Sequence, residues 1–61
     1  DAQTLATAAS QQLSQLSPDH PAFYELQSAI SDLNAIVAAD PYAANLIDAM
    51  IRLTQAMAAA Q

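Results

Sequence analysis

Phe23, Leu26, Ile30, Leu33 and Val37 recur at steps of three and four residues, which stacks them on one face of an α-helix. Leu46, Met50, Leu53 and Met57 repeat that spacing further along, while Asn45, Asp48, Arg52 and Gln55 form a polar stripe on the opposite face. Upstream the seam is smaller, with Ala2, Ala6, Ala9, Leu13 and Leu16, and its small side chains favour close helix approach over a deep core. Two proline-containing stretches separate these segments, Ser17-Pro18-Asp19-His20-Pro21 and Asp40-Pro41. The pattern predicts an all-α chain, one domain over residues 1–61, with helices at about 2–16, 21–39 and 41–60. Connections this short turn each helix back on the last, so the expected architecture is an up-down-up antiparallel three-helix bundle.

The breakers also suggest how the helices begin. Asp40 is placed to cap the third helix, with Pro41 at the first helical position, where a missing N–H costs nothing. Ser17 and Asp19 are both candidates to cap the second helix, and the spacing does not choose between them. Laying Pro21 over Pro41 matches Leu26 with Leu46, Ala29 with Ala49, Ile30 with Met50, Leu33 with Leu53 and Val37 with Met57. Either a duplication or successive helices of equal length produces this register, and the second is the simpler account.

Composition narrows the classes of function. A chain of 61 residues buries only about 60% of its unfolded surface, so it needs near-ideal helices or a partner. There is no cysteine to form a disulfide. Six carboxylates stand against a single Arg52, giving a net charge of −5, so neither nucleic acid nor an anionic membrane surface is an expected partner. Apolar residues make up 54% of the chain, with alanine the commonest of them, yet no run approaches the roughly 18 residues of a membrane span. No basic segment precedes an apolar stretch at the N-terminus as given, so a signal peptide is not expected. Without glycine, the phosphate-cradling loop and the nucleophile elbow are unavailable, since both use its conformational freedom.

Candidate chemistry is sparse. His20 beside Asp19 is the minimum for a base and its orienter, but a nucleophile and a concave pocket are missing from the pattern, and a solvent-facing turn histidine is the simpler reading. No Glu-x-x-His pair marks a bundle-core metal site, and Arg52 is expected to pair with Asp48 four residues earlier. Met50 and Met57 sit on the core seam. The expectation is therefore a protein that is not an enzyme, with no catalytic residue, cofactor or metal. Apolar surface is the stronger signal. Ile47, Ile51, Ala44 and Ala58 lie beyond the third seam, and Ala35, Ala38 and Ala39 with Ala56 and Ala58 to Ala60 leave one end of the bundle poor in solvating groups. Tyr24 and Tyr42 fall off the seams near helix starts, as interface anchors or as lids on the bundle ends. The candidate interface is thus Tyr24, Tyr42, Ile47, Ile51 and Ala58, and the expected partner is a second copy, as a homo-oligomer, or another protein.

Two resemblances extend this reading. "SPDHPAFYELQSAI" and "AADPYAANLIDAMIRL" resemble the short polar connections and Asp-then-Pro helix starts of computationally designed helical bundles. That resemblance implies a de novo scaffold or protein-interaction module. Its surface, with one glutamate and no lysine, differs from the charged surfaces of such designs and requires a restricted composition or a broad interface. "PDHPAFYELQSAI", from Pro18 to about Ile30, is similar to the Pro-x-x-Pro turn and following helix of type III secretion needle and rod subunits. This second resemblance implies a filament-forming subunit that polymerises around a secretion channel.

Overall fold

Three helices form in the computed structural model, which describes residues 1–61: α1 (Ala2–Ser14), α2 (Phe23–Ala39) and α3 (Leu46–Ala59). Each packs on the other two in an up-down-up bundle about 33 Å long and 15–16 Å across. The chain is an all-α three-helix bundle, as its periodicity predicts. The α1 and α3 helices run parallel, since Gln12 near the end of one donates from Nε2 to the carbonyl of Met57 near the end of the other, 2.9 Å away. The α2 helix runs against both.

The core is made chiefly of small side chains. Leu26, Leu33 and Leu53 are fully buried and Ile30 nearly so, but the other eight of the twelve buried residues are alanines. Ala2, Ala6 and Ala9 are the entire buried set of α1. Leu5, Leu13, Leu16, Val37, Leu46, Met50 and Met57 are only partly buried, packed around that centre. Alanine at helix contacts lets backbones approach to the short end of the usual range, about 8 Å between axes. No polar side chain is buried and none is left without a partner, so apolar packing and helical hydrogen bonding carry the fold.

Helix starts differ from those expected, for one reason. Asp40 does not cap α3. Its Oδ1 accepts from the N–H of Tyr42 at 3.0 Å, its carbonyl accepts from Ala43 at 3.1 Å, and Pro41 occupies the second position of that turn. A further turn, Leu46 N–H to Ala43 carbonyl at 3.1 Å, delays the helix to Leu46 rather than 41. The first connection is built the same way. Ser17 to His20 closes at 2.9 Å around Pro18, and His20 to Phe23 closes at 3.0 Å around Pro21. A polar residue followed by proline suits the first two positions of a β-turn as well as a cap and first helical turn. In this chain all three prolines take the turn. The α1 helix stops at Ser14 rather than 16 because Gln15 and Leu16 tighten into bonds to Gln12 and Leu13, ahead of a residue that precedes proline.

Arg52 pairs with Asp32 on α2, not with Asp48 as expected. Asp32 and Arg52 are matched positions of the twenty-residue register, and antiparallel packing turns their equivalent faces toward each other. Both side chains are about half exposed, so this pair contributes at most about 1 kcal/mol. The antiparallel arrangement also parts the alanine clusters. Ala35, Ala38 and Ala39 lie toward one end of the bundle and Ala58 to Ala60 toward the other, so the single alanine-rich end expected from the sequence does not exist.

Close alanine contact makes a specific prediction. Ala56→Leu, which adds volume where there is no space, should destabilise by about 1–3 kcal/mol, and Leu33→Ala by about 2–5 kcal/mol. Urea unfolding followed by circular dichroism measures both. Neutral behaviour of Ala56→Leu would show that the helices do not meet through this alanine.

Candidate interaction surface

The largest exposed apolar side chains are Tyr24, Tyr42, Ile47 and Ile51, at 76, 93, 66 and 51%. Local structure explains each position. Tyr24 follows Phe23 at the start of α2, where the half-buried Phe23, which does not join the core as its place on the seam predicts, meets the Tyr24 ring edge-on at 5.9 Å. Tyr42 stands in the turn that Pro41 opens. Neither tyrosine lids the bundle, and they lie at opposite ends of it. Ile47 and Ile51 are four residues apart on α3, one position behind the Leu46 and Met50 seam, so they face outward on the flank toward α1.

That flank is an open groove of about 680 Å³ between α1 and α3. Leu5, Ala8, Ile47, Met50 and Ile51 form its apolar lining, with Thr4, Thr54 and Gln55 along its edges and Asp1 at one end. The Gln12–Met57 hydrogen bond ties the two helices together beyond the far end. Asp1 is the only ionisable side chain in the lining, and its Oδ1 accepts from the Thr4 N–H at 2.9 Å to cap α1. The α1 helix itself, AQTLATAASQQLS, has no charged residue. Asp32, Asp48 and Arg52 gather instead on the α2–α3 side.

Of the five residues expected at an interface, the structure brings together Ile47 and Ile51. Ala58 is exposed further along α3, and the tyrosines are remote from each other. Leu5 and Ala8 were not among the expected set. Leu5 lies next to the buried Ala6 rather than on the α1 seam, and the signal that points to this flank is the unbroken absence of charge along α1.

His20 is partly buried rather than solvent-facing, and it has a structural task. Its Nδ1 accepts from the Ala22 N–H at 3.0 Å, so it satisfies a donor at the start of α2 that neither Ser17 nor Asp19 reaches. Ser17 Oγ instead accepts from Asp19 N–H at 3.3 Å. No group of three His, Cys, Asp or Glu side chains converges anywhere in the bundle, and no helix is long and apolar enough to cross a membrane. No protein-family model, curated protein or solved structure matches this chain.

His20 closes an Asx-like turn just ahead of α2, so His20→Ala should cost up to about 1 kcal/mol, and His20→Asn, whose side-chain oxygen makes the same i to i+2 bond, should recover much of it. Chemical denaturation of the three proteins decides this. Equal stability of all three would leave the Ala22 hydrogen bond without energetic weight.

Proposed function

We propose that this chain is a non-enzymatic helical interaction module that associates with itself through uncharged apolar helix surface. One observation carries the reading: Ile47 and Ile51 stand half or more exposed beside Leu5 in a groove with almost no charge, on a molecule of net charge −5. Each Å² of apolar surface withdrawn from water stabilises by about 25 cal/mol, and a continuous apolar patch rimmed by polar groups is the usual mark of a protein contact. Regular three-helix packing with no positive-φ residue and no buried polar side chain supports an idealised scaffold, the role that the likeness to designed bundles implies. Catalysis has no counterpart in this site, because no nucleophile, base and orienter meet at the groove.

Association gives such a small fold a further source of stability, since anything that binds only the folded state raises its apparent stability by mass action. Light scattering from about 10 μM to 1 mM, a range suited to interfaces of modest affinity, should show mass rising from 6.4 kDa to a small fixed multiple. A strictly constant monomer would contradict self-association. Open-ended filaments would favour the needle-like subunit over a closed assembly.

A further inference from the structure

We propose that His20 is a proton-operated latch on the connection between α1 and α2, closed while its ring is neutral and released when the ring takes up a proton. The latch stands on three hydrogen bonds of one residue. The His20 N–H donates to the Ser17 carbonyl at 2.9 Å, and the His20 carbonyl accepts from the Phe23 N–H at 3.0 Å, so this residue belongs to both turns of the connection. Its Nδ1 accepts from the Ala22 N–H at 3.0 Å and fixes the ring across the second turn.

That third bond admits one protonation state. A ring nitrogen that accepts carries no hydrogen, so the ring is neutral with its proton on Nε2. Protonation places a hydrogen on Nδ1 and sets two donors against each other. The ring must then turn away. Ala22 is buried, so water is a poor substitute for the lost acceptor, and a buried donor without a partner is costly. Release frays the start of α2 at this end and leaves the leucine centre and the Asp32–Arg52 pair in place.

Surrounding charge does not reverse the effect. The last turns of α1 and α3 meet this connection at the same end of the bundle and carry no ionisable side chain. Asp1, Asp40, Tyr42 and Asp48 lie toward the opposite end. The groups near the ring are therefore Asp19 beside it, with Tyr24 and Glu25 in the first turn of α2. Asp19 and Glu25 attract an imidazolium, but both are exposed, where salt screens the attraction. The N-terminus of α2 opposes them, because its free N–H groups repel a cation. Losing the acceptor of a buried donor outweighs a screened attraction, so stability is full above the histidine range and falls as the pH drops through it. His20 is the only histidine, so the response belongs to one residue.

The latch does not depend on self-association. In the full chain, kept dilute, urea unfolding is compared at about pH 7.5 and about pH 5.5, a window in which histidine titrates and ordinary carboxylates stay ionised. The wild-type folding equilibrium constant should fall about fivefold on acidification, as for loss of one hydrogen bond, while His20→Asn, which makes the same bond without titrating, should change less than about twofold. Two nuclear magnetic resonance readouts need no variant. Ring nitrogen shifts should place the proton on Nε2 at the higher pH, and the Ala22 amide should move in step with ring protonation while the Asn34 amide holds. Equal responses of wild type and His20→Asn to pH, or a gain of wild-type stability on acidification, would overturn the latch. So would a neutral ring protonated on Nδ1, or an Ala22 amide that stays still as the ring titrates.

Discussion

Close contact between alanine-lined helices sets the terms for everything else in this bundle. Ala9 and Ala56 are fully buried and Ala29 almost so, around Leu26, Leu33 and Leu53. Three helices drawn together through alanine leave little space between them, so only a few large side chains can be enclosed. The bulky residues on the flanks are excluded by the same closeness. Ile47 and Ile51 remain at the mouth of the α1–α3 contact, while Leu5 and Met50 are partly enclosed against the core. The groove is thus a consequence of how the core is packed. It forms beside α1, which buries only alanines, whereas α2 buries Leu26, Ile30 and Leu33 and α3 buries Leu53.

Helix number and phase were legible in the sequence because they rest on periodicity, which registers every third or fourth residue of a segment, and direction was legible because the connections are short. Leu26, Leu33 and Leu53 fall on the seams that the spacing marks. The helix starts were not legible, because Ser-Pro, His-Pro and Asp-Pro are compatible with two local structures of similar cost. Packing of the following segment, not the dipeptide, decides whether proline opens a helix or a β-turn. Arg52 illustrates the same limit at longer range. Its sequence neighbour Asp48 and its spatial neighbour Asp32 are both acidic, and only the antiparallel packing of α2 on α3 selects between them. For the candidate surface, Ile47 and Ile51 were visible as apolar residues off the seam. Their association with Leu5 and Ala8 was not, because it depends on the register of two helices that are distant in sequence.

The distribution of charge joins the packing to the proposed function. Asp32, Asp48 and Arg52 gather on the α2–α3 side, and α1 carries no charged side chain. The acidic side supports solubility, and the neutral side permits contact. A small bundle with a core of alanines gains from such contact twice. Association covers the isoleucines that the core excluded, and it adds stability to a fold whose size limits what a single core can supply.

The central claim, that the uncharged α1–α3 flank is the surface of self-contact, is tested most directly by residue-resolved amide chemical shifts followed on dilution. The account predicts concentration-dependent shifts at Leu5, Ala8, Ile47 and Ile51, with Glu25 and Asp32 on α2 unmoved. Shifts concentrated on α2, or none at any concentration, would contradict it.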